Sequence, residues 1–332
     1  MSKPKIVTCF PLNSELADKI RGAARDYDVI VSSQEKIVDD IFDAEIFCGH
    51  AKVPVKWPDV VRHGRLKWIQ SSAAGLDHCL VPEVIASSIV VSGCSALFAN
   101  QVAEQTLALL TALIRRLPDF FRAQQRREFV RRPTDNLQGK SIGIVGFGGN
   151  GQRIAKVLRP LVNKIRATDV FHEHCQHAVH DGVADQVLPA NQLDALLRQS
   201  DVVIVTLPLT ADNENRISDD EFALFKADSY LINVGRGSVV NTSSLCNSLK
   251  QGHLAGAGLD VVEPEPLQRD SALWEMENVI ITPHVGAQSA QRVPTTVDLF
   301  CENLMRFREG RSLLNLVDKQ LGFPWPEHRM GF

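Results

Sequence analysis

A strand-like run, Ser141 to Val145, leads into Gly146-Phe147-Gly148-Gly149-Asn150-Gly151, and a segment with Ile154, Val157 and Leu158 on one helical face follows. This order of strand, G-x-G-x-x-G and helix constrains the chain more than any other feature, because each glycine has its own steric task. Gly146 permits a tight turn, Gly148 lets the backbone approach a diphosphate, and Gly151 allows close packing of helix on sheet. The N–H groups at the start of the helix, at the positive end of its dipole, then face an anion. With 21 glycines in the chain the pattern alone is weak. The acid that the fingerprint requires strengthens it: Asp169 lies 18 residues after Gly151, at the end of Ile165-Arg166-Ala167-Thr168. Its carboxylate can accept hydrogen bonds from a ribose diol and would repel a 2′-phosphate. The expected cofactor is therefore NAD rather than NADP, held by Gly146, Gly148, Gly149, Asn150, Gly151 and Asp169. Arg153 and Arg166 are the nearby cations that leave NADP open.

Short β-type runs alternate with segments of helical period on both sides of this turn. Before it, Lys5 to Cys9, Val29 to Ser32, Ile46 to Cys48, Trp68 to Ser71 and Val90 to Ser92 read as strands. Leu12 to Tyr27 reads as a helix, and a longer one runs from about Asn100 towards Arg116. The second series of strands is Ile142 to Gly146, Lys164 to Asp169, Val202 to Leu207, Tyr230 to Val234, Ala255 to Leu259 and Val279 to Thr282. This cadence predicts an α/β protein with parallel sheets, and 332 residues suit two domains at roughly 150 residues each. A helix from Val293 through Phe307 follows the completed second series, so it is expected to return to the first domain and make that domain discontinuous. The tail from Phe323 to Phe332 is open to two readings, a loose end or a segment docked on a neighbouring subunit.

Composition removes other classes. With 44% hydrophobic and 23% charged residues the chain is an ordinary globular one. Its 36 basic and 39 acidic side chains leave a net charge of -3, which argues against nucleic-acid and membrane partners. No apolar run approaches the roughly 20 residues of a bilayer span; Val102 to Leu113 is interrupted by Glu104. The N-terminus enters a strand without a signal-peptide core. Seven scattered cysteines without a C-x-x-C pair fit a reducing, cytoplasmic setting. His172, His174, Cys175, His177 and His180 match no standard zinc spacing, so no metal is expected and a solvated segment is.

Three residues past strand ends carry the candidate chemistry. Arg236 lies in Asn233-Val234-Gly235-Arg236-Gly237, Glu265 in Leu259-Asp260-Val261-Val262-Glu263-Pro264-Glu265-Pro266, and His284 follows Ile280-Ile281-Thr282-Pro283. Carboxyl ends of strands are where α/β sheets bind ligands. Hydride transfer to a ketone builds negative charge on oxygen, and a histidine is suited to supply the proton. A carboxylate beside that imidazole favours its charged form and raises its pKa, the role expected of Glu265. A guanidinium grips a carboxylate with two parallel hydrogen bonds, the role expected of Arg236. Asp260 is a candidate to orient a nicotinamide amide. Lone loop residues of these types are most often surface or capping groups, and spacing alone does not lift the three above that.

The ordered motifs Gly146 to Gly151, Leu207-Pro208-Leu209-Thr210, Asn233 to Gly237, Leu259 to Pro266 and Pro283-His284-Val285-Gly286 resemble the D-isomer-specific 2-hydroxyacid dehydrogenases. The likeness covers roughly Asn100 to Asp318, and a weaker one includes Ser71-Ser72-Ala73-Ala74-Gly75-Leu76-Asp77. It implies two doubly wound domains: a Rossmann NAD-binding domain, 102–292, inserted into a discontinuous flavodoxin-like substrate domain, 1–101 and 293–332. It also implies a homodimer. By motif, Arg236 binds the substrate carboxylate together with the backbone of Ala74 and Gly75, His284 is the acid/base, and Glu265 is its partner. Leu207 and Pro208 line the nicotinamide ribose, Val234 and Asp260 flank the nicotinamide, and Gly235 and Gly286 complete the cofactor set. The chain departs from the family at Gly149-Asn150, where Arg-Ile is frequent, and at Asn241, where Asp is common. Phe47-Cys48-Gly49-His50-Ala51 lacks the arginine expected of phosphoglycerate dehydrogenases, which points to an unphosphorylated 2-oxo acid such as glyoxylate or hydroxypyruvate. The alternatives are an NAD(H)-sensing protein like the family's corepressor branch, and a phosphoglycerate dehydrogenase.

Overall fold

The computed structural model describes residues 3–329. Its strands are β1 (Lys5–Cys9), β2 (Asp28–Val31), β3 (Ala44–Gly49), β4 (Trp68–Ser71), β5 (Val90–Ser92), β6 (Ser141–Val145), β7 (Lys164–Asp169), β8 (Gln186–Pro189), β9 (Val202–Val205), β10 (Ser229–Asn233), β11 (Leu254–Leu259), β12 (Val279–Ile281), β13 (Val317–Asp318) and β14 (Phe323–Pro324). The chain divides into two compact units, one made of the stretch up to Phe98 and the stretch from Ser289, the other of Ala99–Gln288.

The first unit is built on a parallel sheet in the order β2-β1-β3-β4-β5, a flavodoxin-like winding. Both faces of a parallel sheet are covered, so its inner strands are apolar along their length. On one face Ile6, Ile46 and Trp68 pack with Ile20 and with Val297, Phe300 and Leu304 of the helix Arg292–Arg308. Fully buried Trp68 stacks on Phe300 at 5.4 Å and on Phe307 at 5.2 Å, and its indole N–H donates to Ser92 Oγ at 2.9 Å. Burial of that size is worth roughly 2–3 kcal/mol, with about 1 kcal/mol more for each aromatic pair. A buried polar pin completes the attachment. Asn303 donates to Gln70 Oε1 at 2.9 Å and to Leu314 O at 3.0 Å, and accepts from Leu314 N–H at 2.8 Å. The other face packs Val7, Phe47 and Ile69 against Trp57, Val60 and Val84.

The second unit carries a seven-stranded parallel sheet in the order β12-β11-β10-β9-β6-β7-β8. The chain starts at β6, winds outward to β8, then returns to β9 on the other side, which is the Rossmann arrangement with its switch point between β6 and β9. The helices Ala99–Ile114 and Gly149–Leu158 cover one face, where Leu109, Leu110, Leu113, Ile154 and Leu158 share a core with Ile142, Ile144 and Ile204.

Several elements differ from the sequence expectation. The second series has a seventh strand, β8, because the edge sequence Gln186-Val187-Leu188-Pro189 pairs with β7 through four residues despite its polar start and terminal proline. The first helix spans only Ser14–Ala23: the Asn13 side chain caps it by accepting from Leu16 N–H at 2.9 Å. β9 ends at Val205, where the Thr206 hydroxyl instead donates to Gly146 O at 2.7 Å. A further helix, Leu117–Gln125, begins after Arg116, which has φ 55°. In the tail, Val317 and Asp318 pair antiparallel with Pro324 and Phe323, and Trp325 Nε1 donates to Asp318 at 2.9 Å; residues 330–332 lie outside the described residues. Among the described residues no helix is long and apolar enough to cross a membrane, and no group of His, Cys, Asp or Glu is arranged to hold a metal. In the histidine cluster, His177 instead contacts His174 O at 2.9 Å and Gln152 Oε1 at 3.3 Å.

Candidate functional site

The turn after β6 is shaped by two glycine requirements. Gly146 has φ +90°, and a Cβ there would meet Leu207 and Thr206 Oγ1 at 3.0 Å. A Cβ on Gly151 would lie 2.3 Å from Gly146 O, so any other residue would push the helix off the strand. The helix Gly149–Leu158 has no side-chain cap at Gly148. Its first N–H groups, which no helix can satisfy internally, are the kind of donors that bind an anion. Asp169 ends the neighbouring β7 and is 8% exposed. Its Oδ2 accepts from Phe147 N–H at 2.7 Å and its Oδ1 from Phe171 N–H at 2.8 Å. A carboxylate has about four acceptor sites, so each oxygen keeps one for a ribose hydroxyl. These residues fit a dinucleotide: glycine space, open helix N–H groups and an acid with spare lone pairs occur together at the switch point.

Arg236, Glu265 and His284 follow the carboxyl ends of β10, β11 and β12, which are adjacent in the sheet. Asn233 sets the Arg236 turn. It is 1% exposed, accepts from Gly235 N–H at 3.1 Å and donates to Arg236 O at 2.9 Å. A Cβ on Gly235 would meet Leu207 O at 2.6 Å, which keeps the Val234–Gly235 backbone against the Leu207–Pro208 segment. Glu265 meets His284: Nδ1 is 3.0 Å from Oε1 and 3.1 Å from Oε2. The two side chains are 42% and 40% exposed, so the pair is open to a ligand. Because Nδ1 is committed to the carboxylate, Nε2 is the ring atom left to exchange a proton. His284 has φ 53°, an unusual conformation for a residue with a side chain, of the kind that clusters at functional sites.

Asp260 explains how that conformation is held. It is 2% exposed, and its carboxylate accepts from Val285 N–H at 3.0 Å, Gly286 N–H at 2.8 Å and Thr282 Oγ1 at 2.7 Å. Its backbone oxygen accepts from His284 N–H at 2.8 Å. Three of about four acceptor sites thus serve the His284 turn, a role that sequence reading did not assign to Asp260. Gln105, from the helix Ala99–Ile114, donates to Thr282 Oγ1 at 2.9 Å and was not anticipated either.

In the first unit, β4 ends at Ser71, whose Oγ accepts from Ala73 N–H at 3.0 Å and lies 3.4 Å from His78 Nε2. His78 stacks on His50 with centroids 4.0 Å apart. Gln34 pins the His50 backbone by donating to His50 O at 3.0 Å. Among the described residues neither Ala74 N–H nor Gly75 N–H has an acceptor, so this turn offers two donors to a ligand. The histidine pair escaped sequence reading because its members are 28 residues apart and join no motif.

The profile of the D-isomer specific 2-hydroxyacid dehydrogenase, NAD binding domain, matches residues 107–286, more than half of the chain. The chain belongs to this family. A glyoxylate reductase of Thermococcus litoralis is 32% identical over 268 residues, covering 77% of this chain and 78% of that protein. Among solved structures, a D-isomer specific 2-hydroxyacid dehydrogenase family protein from Aeromonas salmonicida is 27% identical with a TM-score of 0.81, covering 96% of this chain and 100% of that one. An NADPH-dependent glyoxylate/hydroxypyruvate reductase from Sinorhizobium meliloti, in complex with NADP and sulfate, is 25% identical with a TM-score of 0.79, covering 97% and 100%. As a D-2-hydroxyacid dehydrogenase the chain is an oxidoreductase with a nicotinamide-dinucleotide domain. The matched domain is described as NAD binding, whereas the Sinorhizobium meliloti reductase is NADPH-dependent, so the choice between the two cofactors is left to residues of each chain.

Proposed function

We propose that this dehydrogenase reduces a small unphosphorylated 2-oxo acid, of glyoxylate or hydroxypyruvate type, to the D-2-hydroxy acid with NADH. The observation that carries the reading is the Glu265–His284 pair, with Nδ1 held at 3.0 Å and Nε2 left for substrate. Arg236 binds the substrate carboxylate through paired hydrogen bonds and polarises the neighbouring carbonyl. In the first unit, the N–H groups of Ala74 and Gly75, which have no acceptor, are donors suited to a substrate carboxylate. The dinucleotide, when bound, supplies the hydride to the carbonyl carbon. His284 donates the Nε2 proton to the carbonyl oxygen as charge develops there, and Glu265 holds the ring in the orientation this requires. In the oxidative direction the same nitrogen removes the hydroxyl proton.

Gly146, Gly148, Gly149, Asn150 and Gly151 hold the diphosphate, and Asp169 the adenosine ribose, which favours NAD(H) over its 2′-phosphorylated form. Leu207, Pro208, Val234, Gly235, Asp260 and Gly286 flank the nicotinamide side. The assembly is a homodimer: Phe129 is 95% exposed and Phe121 58%, with Leu117 and Val130 beside them in sequence, an apolar stretch suited to a second copy. Seven free cysteines agree with a reducing, cytoplasmic setting.

Initial rates with NADH and with NADPH over glyoxylate, hydroxypyruvate, pyruvate, phenylpyruvate and phosphohydroxypyruvate test this reading. Preference for NADH with one of the first two acids supports it. Turnover of phosphohydroxypyruvate alone would reassign the substrate, and tight NADH binding without turnover on any acid would make the protein a sensor.

A further inference from the structure

The two peptide units that flank Phe147 are held in different ways. The Gly146–Phe147 unit is bonded at both ends: Phe147 N–H donates to Asp169 Oδ2 at 2.7 Å, and Gly146 O accepts from the Thr206 hydroxyl at 2.7 Å. The Phe147–Gly148 unit is bonded at its oxygen. Gln152 Nε2 donates to Phe147 O at 3.0 Å, and the Cys175 thiol approaches the same oxygen at 3.6 Å. Among the described residues the N–H at the other end of that unit, on Gly148, has no acceptor. A trans peptide is planar, with its N–H pointing opposite to its C=O. Whatever fixes Phe147 O therefore fixes the direction of the Gly148 N–H, on the glycine at which the backbone comes close to a diphosphate.

Gln152 is itself oriented. Phe147 O can only accept, so the NH2 end of the amide faces it and Oε1 is turned the other way. There Oε1 lies 3.3 Å from His177 Nε2, and His177 Nδ1 lies 2.9 Å from His174 O. Gln152 belongs to the helix Gly149–Leu158, and His177 opens the short helix His177–His180. Their contact ties the glycine turn to the segment that follows Asp169 at the end of β7. The histidine cluster thus has an inward side, with Cys175 at 2% exposure. One donor satisfies a buried carbonyl; a second donor at the same oxygen, with its own orienting partner, exceeds what burial of Phe147 requires.

We propose that Gln152, braced by His177, is a positioning residue for the cofactor: by holding Phe147 O it aims the Gly148 N–H at the diphosphate of the bound dinucleotide. This rests on the reading of Gly146 to Gly151 as the diphosphate turn. An amide already aligned needs no reorientation when the anion arrives, whereas a peptide that can rotate spends part of the binding free energy on being ordered.

The test is a competition read by nicotinamide fluorescence. Bound NADH is displaced by ADP, which carries the diphosphate, and by adenosine, which does not. Q152M fills the same space without a donor and is expected to weaken NADH and ADP binding by about 10-fold, with adenosine changed less than about 2-fold. Its kcat at saturating NADH should change less than about 3-fold. H177L should weaken ADP binding by about 3-fold, and H177Q, whose amide can reach Gln152 Oε1, should restore it. Q152L replaces Q152M should the latter fail to fold. A folded variant at 152 that binds ADP within about 2-fold of wild type overturns the proposal. So does an equal loss of ADP and adenosine, which marks a general distortion of the site. If the wild type binds NADH in either case, the reading of the turn stands and only the role of Gln152 falls. A wild type that binds no dinucleotide overturns both.

Discussion

The Asp260 carboxylate accepts from Gly286 N–H at 2.8 Å and thereby holds the turn on which His284 adopts φ 53°. The acid that sequence reading placed against the nicotinamide thus also holds the turn that carries His284. An asparagine at 260 would keep one acceptor oxygen but set an NH2 group against backbone N–H donors. D260N is expected to lower kcat by about 10²-fold and to reduce the melting temperature, with a larger loss in kcat than in NADH affinity. Steady-state kinetics together with a thermal melt checks this.

The proposed preference for NADH rests on Asp169, whose two oxygens each keep an acceptor site after bonding Phe147 and Phe171 N–H. The wild type is expected to use NADH more efficiently than NADPH. D169S removes the charge that repels a 2′-phosphate and should shift the ratio of kcat/KM values towards NADPH by about 10-fold or more. An unchanged ratio would show that Asp169 only shapes the glycine turn.

These two cases also show how far the chain could be read before its structure. The glycine turn was readable because Gly146 and Gly151 meet steric demands that no other residue satisfies, and the acid on the next strand lies at a regular interval from them. Arg236, Glu265 and His284 were proposed through motifs, but the contact of Glu265 with His284 depends on β11 and β12 being neighbours, which spacing does not encode. Gln105 joins Thr282 across 177 residues, and no local pattern reports such a contact. β8 was missed since four residues at a sheet edge, one polar and one proline, carry almost no periodic signal.

The acid limb of stability is expected to depend on Asp201. Burial pulls its carboxyl up, but Lys226 and the Ser141 N–H at 2.8 Å outweigh that and hold it below the usual carboxylate range. A depressed carboxyl contributes stability that is present above the unfolded value of about 3.9 and is lost as pH falls through the folded one. D201N should therefore be less stable than wild type by about 1 kcal/mol at pH 7. The difference should shrink as pH is lowered from about 5 towards 2, as the wild-type carboxyl itself becomes protonated. Urea unfolding across that range measures it.

Phe129, at 95% exposure, carries the prediction for assembly. The wild type should run as a dimer in light scattering, and F129S with F121S should shift it to monomer. A dimer that survives both substitutions would place the interface on another surface.

The central claim is that His284 exchanges the proton that accompanies hydride transfer, and single-turnover oxidation of bound NADH by glyoxylate in wild type and H284Q tests it most directly. The account predicts NADH binding within about 3-fold of wild type, with a turnover rate lower by about 10³-fold or more. H284Q that reduces glyoxylate within about 10-fold of the wild-type rate would contradict it.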